Sequence, residues 1–195
     1  MNDVFRAPAI KTLTKKGQQV MVWDIWVRMF HWSFAVLVAT AWLTHLPSPV
    51  HGLHEWVGYG AAGLVVLRVV WGFIGSEHAR FARFVPGPSK LLGYVSALAR
   101  GRERRYLTHN PLGAMMVLLL LALSIEQATT GFVMTHHGMT LFGLDRRSLH
   151  HVHGFCGNLF LYAVPLHLVG VIVESLRHRE NLVRSMIFGT KRAAD

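Results

Sequence analysis

The segment HVHGFCGNLFLYAVPLHLVGVIVESL, residues 151–176, decides how this chain is read. About 20 apolar residues suffice for a helix to cross a bilayer, and this stretch is longer. Yet it carries His153 and His167, and an ionisable side chain within a span is costly and marks function. Fourteen residues are close to four helical turns, so both imidazoles leave one face of the helix, about 21 Å apart along its axis.

Three more apolar stretches lie upstream, at about 26–46, 53–74 and 112–134. Hydrophobic residues make up 52% of the chain and charged ones 15%, well under the roughly one quarter usual in soluble domains. The expected fold is an all-α integral membrane four-helix bundle. Residues 1–22 read as a cytoplasmic N-terminal tail, 23–190 as the transmembrane domain and 191–195 as the C-terminal end. The tail is polar and basic, without the apolar core of a signal peptide. A Pro- and Gly-rich turn at 47–52 joins the first two spans. The long segment 76–109 joins the next two. Within it, 88–99 reads as an interfacial amphipathic helix with Leu91, Leu92, Tyr94, Val95 and Leu98 on its apolar side. A loop of about 15 residues carrying Asp145, Arg146 and Arg147 precedes the fourth span.

The formal net charge is +10, and its placement gives the topology. Sixteen Lys and Arg residues fall in the N-terminal tail, the 76–109 segment and the C-terminal tail, against two, Arg146 and Arg147, on the opposite side. The positive-inside rule places both termini in the cytoplasm, in a bacterial inner membrane. The basic residues thus point to lipid rather than nucleic acid, for which the sequence holds no binding motif. The Trp residues 23, 26, 32, 42, 56 and 71 read mainly as an interfacial belt.

Partners for the two histidines follow from depth. His31, near the cytoplasmic start of the first span, can meet His167. His54, at the outer start of the second, can meet His153. Two bis-histidine sites suit two haems, one near each membrane surface, and helix bundles commonly build cofactor sites between facing helices in this way. His51, His150 and His151 are alternatives at the outer site, although none keeps the 14-residue register with His167. The single cysteine, Cys156, permits no intrachain disulfide and no CxxCH attachment, so the haems are non-covalent. Arg28, three residues before His31, and Arg68, 14 residues after His54, are candidate partners for haem propionates, whose carboxylates suit the guanidinium fork. Glu126 is a proton acceptor beside a quinol site, or pairs with Arg146, Arg147 or a histidine.

The stretches Val22-Trp23-Asp24 to Arg28-Met29-Phe30-His31-Trp32, His54 to Gly58-Tyr59-Gly60, Arg68 to Phe73, and His153 to His167 followed by Glu180-Asn181-Leu182-Val183 resemble the prokaryotic cytochrome b561 family. That family includes the b-type cytochrome subunits of nickel-iron hydrogenases. The resemblance spans roughly residues 22–191. It implies four core helices, two b haems ligated by His31 with His167 and His54 with His153, and electron exchange with quinone, either ubiquinone or menaquinone. The other partner would be a c-type cytochrome, a dehydrogenase or hydrogenase subunit, or a small acceptor. This leaves room for a homodimer, and for a quinone-linked oxidoreductase or its membrane subunit. A different class of function, a transporter or channel using the histidines for metal ions or protons, stands against it.

The charge asymmetry generates a direct test. A reporter fused to the C-terminus should read as cytoplasmic and one inserted near Met139 as periplasmic. The opposite pair of readings would invert the assignment of inner and outer sites.

Overall fold

The structure is a computed structural model whose described residues are 18–45, 51–136 and 138–193. In chain order the elements are β1 (Gln19–Met21), α1 (Ile25–Leu43), α2 (His51–Ile74), α3 (Phe81–Phe84), α4 (Pro88–Ala99), α5 (Pro111–Thr135), α6 (Arg146–Arg177), α7 (Leu182–Phe188) and β2 (Thr190–Arg192). The fold is all-α in its bulk, and α1, α2, α5 and α6 are each long and apolar enough to span a membrane.

Caps set the helix starts. Asp24 accepts a hydrogen bond from the Val27 amide at 2.8 Å, and Asn110 accepts one from Gly113 at 2.7 Å, with Pro111 opening α5. Each satisfies a backbone donor that the first turn leaves orphaned. Asp145 does the same for Ser148 at 2.8 Å. This corrects the expected third loop: α6 begins at Arg146, so Arg146 and Arg147 form its first turn. Arg146 also donates to the Met134 carbonyl near the end of α5. The expected turn at 47–52 lies largely outside the described residues, and α2 already includes His51 and Gly52. The 88–99 helix forms with the expected bounds. Its apolar side divides, however: Tyr94 is buried, whereas Leu92 and Val95 are exposed.

Packing runs α1 on α2, α2 on α5 and α5 on α6, with α4 leaning on α5. Along α1 and α6 few residues are buried. The up-down order puts the end of α1, the start of α2, the end of α5 and the start of α6 at one end of the bundle. The strands close the other end.

At that strand end, β1 and β2 pair antiparallel with Val20 opposite Lys191. The Val22 and Trp23 amides donate to the Gly189 carbonyl at 2.8 and 3.0 Å. Asp24 receives Trp71 Nε1 at 3.2 Å and the Ser76 hydroxyl. Burial alone would raise its pKa, but these donors hold it below the usual carboxylate value. Val22, Trp23, Val27 and Ala79 form a small core with Val20, Trp71 and Met186. Trp23 is therefore interior, not part of a belt, while Trp26, Trp42 and Trp56 are exposed. Arg105 grips Glu180 with both Nη2 contacts at 2.9 Å and donates to the Arg192 carbonyl at 2.7 Å. Arg177 pairs with Glu103 at 2.5 Å. The segments flanking the spans are thus folded together, a feature that apolar patterning does not reveal.

Gly189 is the pivot of this closure. Its φ is +84°, and a Cβ there would sit 2.7 Å from the Trp23 carbonyl oxygen. Gly189→Ala should cost about 1–2 kcal/mol from the left-handed backbone alone. It should lower the thermal midpoint in detergent and expose the C-terminal segment to protease. Gly87→Ala, with nothing within 4 Å of its Cβ, should do neither. Identical melting of the two variants would sink this account.

Candidate functional site

Two pairs of imidazoles cross the bundle interior. His31 on α1 and His167 on α6 have ring centroids 6.5 Å apart, and His54 on α2 and His153 on α6 have theirs 6.3 Å apart. These separations are too long for direct hydrogen bonds between the rings. They match another arrangement. An imidazole nitrogen binds a first-row metal at about 2.0 Å and its ring centre lies about 1.1 Å beyond, so two rings on opposite faces of one ion are about 6.2 Å apart.

The surroundings leave suitable nitrogens for such an ion. His54 Nδ1–H donates to the Ala41 carbonyl at 2.7 Å, which turns its Nε2 inward. His153 Nδ1 meets Thr130 Oγ1 at 2.8 Å, and Thr130 in turn bonds the Glu126 carbonyl at 2.9 Å and its carboxylate at 3.1 Å. Gln127 Nε2 donates to the His153 carbonyl at 2.7 Å, tying α5 to α6 beside the ring. Such outer partners fix imidazole orientation and tautomer at metal sites. Gly131 belongs to the same support, since a Cβ there would approach His153 Cε1 to 3.4 Å. At the other pair, His31 Nδ1 is shut from solvent without a hydrogen-bond partner. The donor set, four imidazoles in two facing pairs, therefore fits a planar macrocyclic iron at each level.

The alternative outer histidines are placed differently. His150 and His151 lie on the exposed side of α6, and the side chain of His51 and the whole of His137 are outside the described residues. Glu126 faces Gln127, Thr130 and Cys156, not Arg146 or Arg147.

The two arginines sit at the strand end. Arg68 is 6% exposed, donates Nη2 to the Ala79 carbonyl at 3.3 Å and lies over the Phe81 ring, while its Nη1 is buried and unpartnered. Arg28 donates Nη1 to the Ile187 carbonyl at 2.5 Å, which satisfies the C-terminal end of α7. Its Nε is buried without a partner.

Thr130, Gln127 and Gly131 were not singled out by sequence. The run Ser124-Ile125-Glu126-Gln127-Ala128-Thr129-Thr130 in an otherwise apolar span was the available signal, since polar groups inside spans seek partners across helices.

Comparison with known proteins gives one answer. Residues 22–189 match the family model described as prokaryotic cytochrome b561. A probable Ni/Fe-hydrogenase B-type cytochrome subunit of Rhizobium leguminosarum bv. viciae is 26% identical, over 89% of this chain and 89% of its own. The subunit of the same description from Bradyrhizobium diazoefficiens is 24% identical, over 90% and 87%. The one from Azotobacter vinelandii is 24% identical, over 93% and 92%. With its histidine-bearing spans and a family match over nearly its whole length, this chain belongs to the prokaryotic cytochrome b561 family of multi-pass membrane b-type cytochromes.

Proposed function

We propose that the chain is a dihaem electron carrier of the cytoplasmic membrane, passing electrons between the quinone pool and a redox partner. The observation that carries this reading is the pair of cross-helix imidazole couples at 6.5 and 6.3 Å. His31 with His167 would hold an inner haem b and His54 with His153 an outer one, with both termini cytoplasmic. The relatives described as Ni/Fe-hydrogenase subunits favour a hydrogenase as partner. Ubiquinone or menaquinone, a c-type cytochrome and a homodimeric assembly remain part of the same proposal.

Bound haem supplies reversible one-electron iron chemistry. The chain supplies ligation, burial and orientation. His54 and His153 are held by the Ala41 carbonyl and the Thr130 hydroxyl. Arg68 offers its unpartnered Nη1 to an inner propionate. Arg28, with one Nη1 engaged by Ile187, contributes positive charge nearby. Glu126, relayed to His153 through Thr130, can take a proton on the outer side. The transporter reading has less support. The family to which the chain belongs is one of b-type cytochromes.

Purified protein should carry two haems per chain, low-spin, both extractable into acid acetone. His31→Ala and His167→Ala should remove one redox component, and His54→Ala and His153→Ala the other. Loss of the same component in His31→Ala and His54→Ala would refute the pairing.

Thr130→Val tests the outer support. A Nδ1–H that donates a hydrogen bond makes imidazole a more basic ligand and favours oxidised iron. Removing the acceptor should raise the outer potential and leave the inner one in place, as read by redox titration. A shift confined to the inner component would count against it.

A further inference from the structure

The strand end buries two cations, Arg68 and Lys191, beside carboxylates that are bonded elsewhere. Arg68 and Lys191 are 6% and 5% exposed. Arg68 Nη1, Arg28 Nε and His109 Nδ1 are buried with no hydrogen-bond partner among the described residues. Lys191 lies over the Trp23 ring, its Nζ 5.8 Å from the ring centre. Trp23 also packs on His109, ring centroids 4.8 Å apart, so Lys191 and His109 flank the same indole. Phe84 closes His109 from another side at 4.8 Å. Arg68 and His167 both lie within electrostatic reach of His109, which sets this cluster against the inner imidazole pair.

The nearby carboxylates are already engaged. Asp24 accepts from Val27, Trp71 and Ser76. Glu180 is held by Arg105 and by the Arg192 amide. Burial, with Lys191 and Arg68 alongside, drives the His109 pKa down to about 3, and burial also lowers that of Lys191. Glu180 and Glu174 lie within electrostatic reach of Lys191, and Asp24 within reach of Arg68, but buried donors left without a partner remain costly. An anion that accepts from those donors would relieve that cost.

We propose that Lys191 and His109 join Arg68 in a pocket for the two propionate carboxylates of the inner haem. This rests on the dihaem reading above. It assigns a role to β2: pairing with β1 turns Lys191 inward, while its neighbours Thr190 and Arg192 are more exposed. The C-terminal strand is thereby part of the cofactor site. An ammonium beside a propionate favours the reduced, more negative haem and raises its potential. The same oxyanion chemistry could come from the phosphate of an anionic lipid, and the two sources are separable.

The test uses the purified full-length holoprotein in nanodiscs of zwitterionic lipid. The inner component is identified as the one lost in His31→Ala. Lys191→Met should weaken its reduction equilibrium about tenfold, a fall of about 59 mV for one electron. Lys191→Arg should restore it, and the outer component should not move. His109→Gln, an independent variant should Lys191→Met fail to fold, should shift the propionate bending bands of the same haem in resonance Raman spectra while both haems stay low-spin. Two retained haems with unmoved potentials and unmoved bands overturn the pocket. Unmoved bands with loss of co-purifying anionic lipid from the variants reassign it to a lipid headgroup and overturn the propionate role. Wild-type protein without two haems refutes the dihaem reading first, and the pocket with it, by haem count alone.

Discussion

The separation between facing imidazoles, 6.5 Å in one pair and 6.3 Å in the other, is the constraint on which the rest of the structure depends. Metal–nitrogen bonds tolerate only a few tenths of an ångström. Helices in lipid have no hydrophobic drive to associate, because the acyl chains are as apolar as leucine. The register of α1 and α2 against α6 must therefore come from specific contacts. At the end bearing His54 and His153 these are interhelical hydrogen bonds: His54 to Ala41, Gln127 to His153 and Tyr59 to Thr135 at 2.7 Å. Each partner sits where little water competes, so an unmade bond would be costly.

The other end solves the same problem differently. There the chain leaves the membrane and folds as a soluble protein does, with a two-stranded sheet, a small apolar core and ion pairs. Arg105, placed between α4 and α5, joins the C-terminal strand through Glu180 and the Arg192 carbonyl. Arg28 and Trp32 on α1 donate to the carbonyls of Ile187 and Met186 at the end of α7. The start of α1 and the segment after α6 are thereby locked to each other, which fixes the depth of His31 relative to His167. The basic residues that read as topology signals serve here as structural ties as well.

This division has an electrostatic consequence. Charge near His54 and His153 includes Glu126, set in a network with Thr130 and Gln127, and Glu55, which accepts from Tyr59. Charge near His31 and His167 is positive and partly buried, from Arg68, Arg28 and Lys191. Two sites with similar donor pairs thus lie in different fields. In a low-dielectric interior such fields act strongly on any change of charge at the metal.

The sequence by itself determined the four spans, because about twenty apolar residues in a row admit few other structures, and it determined the four histidines, because a 14-residue spacing in a helix is a geometric statement. It also marked Arg68 as a cation deep within the second span, and the structure buries it. It did not determine the strand pair, the burial of Trp23, the inward turn of Lys191, the seat of His109 or the Thr130 contact to His153. Gln19–Met21 and Thr190–Arg192 lie about 170 residues apart and are too short to carry a pattern of their own. Their pairing exists only once α1 and α6 bring the two ends of the chain to one side of the membrane. The period of a helix is local and legible in a line of residues. Which buried cation faces which carboxylate depends on contacts between distant segments, and only the tertiary structure decides that.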